Sequence, residues 1–278
     1  MRILVTGSSG RVGQAVAEHL GKHHEIVGVD QTPGKHTGVI GDIRDEPLMT
    51  LQIKNIDAVI HLASLHAPHV GKASQADFES INVAATAQLL ALARKAQVRR
   101  FLFASTTSIY GHAMSHKSRA VWVTEALQPE PADIYDQTKL MAEALCAAAF
   151  APDFMTTSLR LSRCFPEPAR EMAIYRLYRG VDLRDVSQAF ELALQAQFNQ
   201  FEAFNISGDT PFQEVDCVAL KQSAATVLQK RVANIEADFL CRGWAVPRQI
   251  DRVYVVEKAK RQLGYAPQFG YREFVNEL

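Results

Sequence analysis

Tyr135 and Lys139 stand four residues apart in Tyr-Asp-Gln-Thr-Lys, a spacing that puts both side chains on one face of a helix. A phenol can exchange a proton with a hydroxyl or a carbonyl. A lysine ammonium beside it favours the phenolate, so the pair predicts an acid/base group with Tyr135 drawn down from about 10 toward neutrality. The same spacing is common on solvated helix faces. The segment Phe101 to Gly111 changes that weighting, because an apolar strand runs out into four consecutive hydroxyl residues, Ser105, Thr106, Thr107 and Ser108. In an open parallel sheet, ligands bind beyond the carboxyl ends of the strands, so one of these hydroxyls can meet a substrate oxygen while others cap backbone.

A second constellation opens the chain. Thr6 to Gly13 places Gly7, Gly10 and Gly13 around Ser8, Ser9, Arg11 and Val12. Glycines allow a tight turn and close backbone approach to a pyrophosphate, and the following helix presents its N-terminus to the anion. The spacing is GxxGxxG rather than the common GxGxxG of dinucleotide sites. Its place between a first strand and a first helix is the one the mechanism requires. Asp30 ends the second strand, where a carboxylate accepts hydrogen bonds from ribose hydroxyls and repels a 2′-phosphate. NAD is therefore expected over NADP, with Lys35 nearby as the opposing charge; the plainer role for Asp30 is a turn cap.

Short apolar runs positioned between longer amphipathic stretches must carry these residues. Strands are predicted at Arg2 to Val5, Glu25 to Val29, Val39 and Ile40, Ala58 to His61, Phe101 to Ala104, Thr157 to Leu161 and Ala203 to Ile206. Helices are predicted at Arg11 to Leu20, Phe78 to Ala96, Ile134 to Phe150, Val186 to Ala196, Gln213 to Gln229 and Val253 to Leu263, and Cys164 to Arg170 reads as a loop. Strands this apolar are buried on both faces, and their alternation with helices predicts an α/β, doubly wound parallel sheet. A soft boundary near residue 160 separates a dinucleotide-binding domain, 1–160, from a smaller substrate lobe, 161–278, with elements crossing back.

Lys plus Arg and Asp plus Glu each number 30, so the chain has no net charge and lacks the basic excess that nucleic-acid binding needs. Hydrophobic residues are 47% and charged residues 22%, an ordinary globular composition. No apolar run approaches the roughly 20 residues that cross a bilayer, and the opening residues do not read as a signal peptide. Cys146, Cys164, Cys217 and Cys241 form no CxxC pair, which fits a reduced cytoplasm better than a disulfide scaffold. His61, His66 and His69 do not have a metal-ligand spacing, and no metal is expected.

Taken in order, Thr6 to Gly13, Asp30, Gly41-Asp42-Ile43-Arg44-Asp45, His61-Leu62-Ala63-Ser64, Ser105 to Gly111 and Tyr135 to Lys139 resemble the extended short-chain dehydrogenase/reductase family, the NAD-dependent sugar epimerase/dehydratase group. Leu159-Arg160, Asn205-Ile206-Ser207-Gly208 and Lys258 to Pro267 resemble its later landmarks, so the likeness runs along nearly the whole chain. The resemblance implies a Rossmann-like fold and a triad of Thr106, Tyr135 and Lys139. It implies an NAD site formed by the Gly7 to Gly13 turn, Asp30, Asp42 and Ile43 around the adenine, and Leu62, Ala63 and Ser64 along the dinucleotide, with Lys139 on the nicotinamide ribose. It also implies a homodimer; the faces at Leu140, Ala144, Ala147 and Ala148 and at Ile81 to Leu92 would serve, or would simply be core.

Departures from the family pattern narrow the chemistry. Dehydratases of the family carry Asp-Glu directly after the catalytic threonine, where this chain has Thr107 and Ser108, so elimination of water is disfavoured. Arg163 stands where nucleotide-sugar members carry Asn near the substrate diphosphate, and an arginine grips a phosphate or a carboxylate. Cys164-Phe165-Pro166-Glu167-Pro168 is similar to a stretch of uronate dehydrogenases, and the segment from Arg160 to Asp185 is short for a nucleotide-sugar enzyme. The expected substrate contacts are Thr106, Thr107, Arg163 and His66, with an ion pair to Glu167 as the competing fate of Arg163. The expected activity is NAD-dependent hydride transfer on a sugar or nucleotide-sugar, 4-epimerase-like. The alternatives are a simple dehydrogenase of a sugar or sugar acid, or a non-catalytic dinucleotide sensor.

Overall fold

A computed structural model describes residues 1–278. Its elements in chain order are β1 (Arg2–Thr6), α1 (Arg11–Leu20), β2 (Glu25–Asp30), β3 (Val39–Ile40), α2 (Glu46–Gln52), β4 (Ala58–His61), α3 (Gln75–Phe78), α4 (Ala85–Lys95), β5 (Arg100–Thr106), β6 (Val121–Val123), α5 (Ile134–Ala149), β7 (Met155–Leu161), α6 (Ala169–Tyr175), α7 (Leu183–Gln195), β8 (Glu202–Ile206), α8 (Cys217–Arg231), α9 (Ile235–Leu240), β9 (Arg252–Tyr254), α10 (Glu257–Leu263) and α11 (Tyr271–Asn276).

Side chains of a strand alternate between faces, and here both faces are covered. Ile3, Val5, Ala58, Ile60, Leu102 and Ala104 enter one apolar cluster with residues of α1, α7 and α10. Leu4, Val59, Phe101 and Phe103 enter another with residues of α2, α4 and α5. The seven strands pair in the order β3-β2-β1-β4-β5-β7-β8, all parallel, the doubly wound arrangement expected. The chain winds outward from β1 in both directions, so a crevice opens beyond the carboxyl ends of β1 and β4. β8 and α7, both after residue 161, belong to this sheet and its cover. A third cluster, under α6, α8, α9 and α11, lies beside it. No helix is long and apolar enough to cross a membrane, and the cysteines form no disulfide.

The helix expected from Gln213 starts at Cys217 after a 3₁₀ turn, and a helix already begins at Ala169 inside the expected loop; two further departures have an evident cause. The helix expected from Phe78 begins at Gln75, because Ser74 caps it by accepting from Asp77 N–H at 3.1 Å. It is then interrupted by a π-helical turn over Glu79–Ala84, where Asn82 turns to the loop after β4. Val253 to Leu263 was expected as one helix, but Arg252–Tyr254 is a strand that pairs in parallel with β6, and the helix starts at Glu257. The run Val253-Tyr254-Val255-Val256 is β-branched and aromatic, and it takes the strand once a partner is present.

Candidate active site

The crevice is a cavity of ≈ 450 Å³ that runs from the glycine turn after β1 to the start of α5. At one end, Gly7 has φ +73°, and a Cβ there would lie 2.7 Å from Ala63 N; a Cβ on Gly13 would lie 2.0 Å from the Gly7 carbonyl oxygen. No side chain fits at either position, so strand, turn and helix close on one another and leave room for an anion. Gly10 caps α1 with no side-chain bond. The first amides of the helix, Arg11 to Gly13, have no helical acceptor and lie at the cavity wall with the unpaired Arg11. This donor set suits a pyrophosphate. Asp30 also lines the cavity. It accepts from Ser9 N–H at 3.0 Å and from Thr32 N–H and Oγ1 at 2.9 and 3.0 Å, which leaves one of roughly four carboxylate acceptor sites for a ribose hydroxyl. Ile43, Leu62, Ala63 and Ser64 continue the wall.

At the other end the carboxyl terminus of β5 and the first turns of α5 bring Thr106, Tyr135 and Lys139 together. Asp133 starts α5 by accepting from Asp136 N–H at 2.9 Å. Thr106 caps the 3₁₀ turn Thr107–Met114, accepting from Ser108 N–H at 3.1 Å, and lines the same cavity as Tyr135. The electrostatics reverse one expectation. Burial pushes the Tyr135 phenol up from its usual value and outweighs the lowering influence of the nearby Thr106 hydroxyl, while burial brings Lys139 down to about 7. The lysine ammonium sits 4.1 Å from the centre of the Phe103 ring. Both groups are enclosed, and desolvation penalises each charged form more than the pair relieves it. His66 lines the cavity with its ring 6.2 Å from that of Tyr135, and burial lowers it to about 4.

Four expected contacts lie elsewhere. Ser9 braces the turn, donating its hydroxyl to Thr32 C=O at 2.6 Å. Asp42 is drawn to Arg44, accepting from its Nη2 at 2.5 Å, and its neighbours Gly41 and Ile43 reach the cavity instead. Thr107 is buried and turned back to the Leu161 carbonyl oxygen at 3.4 Å. Arg163 is ion-paired with Glu167 four residues on, outside the cavity wall. The wall contains Cys164 and Phe165, from the stretch similar to uronate dehydrogenases, and residues that no motif pointed to, including Thr32 and Ser162. The only signal for Thr32 and Ser162 in the sequence is position, just past the carboxyl ends of β2 and β7.

His61 is fully buried and both its nitrogens are taken by hydroxyls, Nδ1 by Thr6 at 2.7 Å and Nε2 by Thr86 at 2.9 Å. Burial lowers its pKa to about 3. An unfolded chain regains the ordinary histidine value of 6.5 and binds a proton that the native state refuses, so stability falls as pH drops from 6.5 toward 3. Denaturation midpoints measured across that window are expected to fall. His61→Asn is expected to make the slope shallower by about 1.4 kcal/mol per pH unit; an unchanged slope would remove His61 as the cause.

The model of the NAD dependent epimerase/dehydratase family matches residues 3–174, well over half of the 278 residues. The chain belongs to the NAD dependent epimerase/dehydratase family. A UDP-glucose 4-epimerase of Klebsiella pneumoniae is 35% identical over 129 residues, 40% of this chain and 93% of that one. The L-arabinose 1-dehydrogenase (NAD(P)(+)) of Haloferax volcanii is 29% identical over 155 residues, 52% of this chain and 59% of that enzyme. Apart from the Klebsiella sequence, the matched relatives are spanned over 41% to 62% of their lengths. A short-chain dehydrogenase/reductase superfamily protein from Agrobacterium tumefaciens, solved with bound NAD, superposes with a TM-score of 0.75 at 23% identity, covering 100% of this chain and 95% of that one. That likeness is one of fold. The cofactor of the family is NAD, and the glycine turn, the free amides of α1 and Asp30 provide a fitting donor and acceptor set for it.

Proposed function

We propose that this family member withdraws hydride from a hydroxyl-bearing carbon of a sugar or nucleotide-sugar and returns it, as a 4-epimerase does. The observation that carries the reading is one continuous cavity with the anion-binding turn and Asp30 at one end and Thr106, Tyr135 and Lys139 at the other. Bound NAD supplies the hydride acceptor. In its phenolate form, which the Lys139 ammonium stabilises, Tyr135 Oη takes the proton of the substrate hydroxyl and becomes the neutral phenol, while Thr106 orients the substrate oxygen. That phenol, the form that burial favours, then returns the proton to the carbonyl oxygen when hydride comes back. Gly7, Gly10, Arg11, Val12 and Gly13 hold the pyrophosphate, Asp30 the ribose, Ile43 the adenine, and Leu62 to Ser64 flank the dinucleotide. Lys139 reaches the second ribose, and His66 faces the substrate.

A simple sugar dehydrogenase is the second reading. It is favoured by Arg163, which is committed to Glu167 rather than to the cavity and so leaves a nucleotide diphosphate one anchor short. A homodimer through the exposed Met141, Ala144, Ala147 and Ala148 side of α5 belongs to the same proposal. One experiment tests the whole reading. Calorimetric titration is expected to show NAD binding and NADP binding much more weakly, because Asp30 repels the extra phosphate. A sugar and nucleotide-sugar panel is then read for NADH absorbance and for isomerised product. Isomerised product without net NADH marks the epimerase, and stoichiometric NADH the dehydrogenase. Neither signal, with NAD bound, would leave a dinucleotide sensor.

A further inference from the structure

Asn82 ties the loop after β4 to the catalytic helix. Its Oδ1 accepts from Leu65 N–H at 2.8 Å, and its Nδ2 donates to Leu65 C=O and to Thr138 Oγ1, each at 3.1 Å. Thr138 lies on α5 between Tyr135 and Lys139 and in turn donates to Ile134 C=O at 2.8 Å. The hydrogen bonds around His61 have a defined direction. Thr86 Oγ1 donates to Asn82 C=O at 2.7 Å, so its proton is used and it accepts from His61 Nε2–H. A neutral imidazole has one donor and one acceptor, so Nδ1 accepts from the Thr6 hydroxyl, which accepts from Ala63 N–H at 3.3 Å. Hydrogen bonds therefore run from the end of β1, where the glycine turn begins, through His61 and Thr86 to the Asn82 backbone, and from the Asn82 side chain on to α5. They clamp the cavity-lining loop at Ala63 and again at Leu65. His61, Thr86, Asn82 and Thr138 are buried, so water cannot replace a missing member.

We infer that His61 and Thr86 are positioning residues: with Asn82 they hold the loop Leu62–His66 and the Tyr135 helix in register with the glycine turn. This rests on the proposed reaction only for its kinetic readout. Thr86→Val keeps the shape and removes the hydroxyl, whereas Thr86→Ser keeps the hydroxyl. Misplacing the reacting groups is expected to lower kcat on the order of 10- to 100-fold in Thr86→Val, with the sugar KM little changed and kcat restored in Thr86→Ser. In the NAD complex, amide exchange over residues 61–66 is expected to be about 10-fold faster in Thr86→Val and unchanged in Thr86→Ser. If Thr86→Val does not fold, Thr138→Val cuts these hydrogen bonds at α5 without touching His61 and is expected to show the same loss of kcat. A lower melting temperature with wild-type kcat per folded molecule and wild-type exchange would overturn the inference and leave a structural role only. If no sugar is turned over by the parent protein, the proposed reaction fails, and the exchange experiment with NAD alone still decides this one.

Discussion

Tyr135→Phe is expected to lower kcat by about 10²- to 10⁴-fold, the usual contribution of a positioned acid/base group. The change removes one oxygen from a side chain that is 8% exposed, and Phe fills the same volume, so the fold and the melting temperature should hold. NAD affinity should hold as well, since the glycine turn and Asp30 lie at the far end of the cavity. The loss should fall on kcat with KM little altered, because the proton moves only on the way to the transition state. Turnover and a calorimetric NAD titration on the same preparation check both halves. Wild-type turnover in the variant would sink the assignment of Tyr135.

Glu143→Leu or Arg160→Met alone is expected to cost about 3–5 kcal/mol of stability, because either strands a buried charge. Glu143 follows Lys139 by one helical turn and accepts from Arg160 Nη2 at 2.5 Å and from Ser158 Oγ at 2.9 Å. The side chains are 6% and 10% exposed. Arg160 also donates to Tyr110 Oη at 2.8 Å, and Tyr110 donates to Asn205 Oδ1 at 2.8 Å, so the pair joins α5 to β7 and β8. The double variant Glu143→Leu with Arg160→Met leaves no lone charge and should recover much of the loss. In a double-mutant cycle of denaturation midpoints the double variant is expected to lose far less than the sum of the two single losses. Single variants as stable as the parent would show that the pair is not desolvated. Glu143 also raises the pKa of Lys139 against its burial, so this pair affects the proton chemistry of the site as well as its stability.

The chain's own order of residues determined the doubly wound sheet. Apolar runs such as Ile3 to Val5 and Val59 and Ile60 are buried whichever face they take, so their pattern is local and readable. It also determined the glycine turn, Asp30, and the Tyr135 and Lys139 pair, because a turn needing glycine and a helix face are both short-range geometry. The same holds for α1, whose bounds are Arg11–Leu20 as expected. Tertiary structure decided what depends on a distant partner. Arg252–Tyr254 became a strand because β6 lies beside it. Thr107 and Asp42 turned from the cavity because Leu161 and Arg44 claimed them. Arg163 found Glu167 within reach and left the substrate side. Only enclosure decided the sign of the shift on Tyr135, since the spacing to Lys139 gives the Coulomb attraction but not the loss of water that outweighs it. Glu143 looks like an ordinary residue in a row of letters, and the motif that begins at His61 does not say what its ring holds; their roles follow from Arg160, Thr6 and Thr86, which the fold brings to them from other elements.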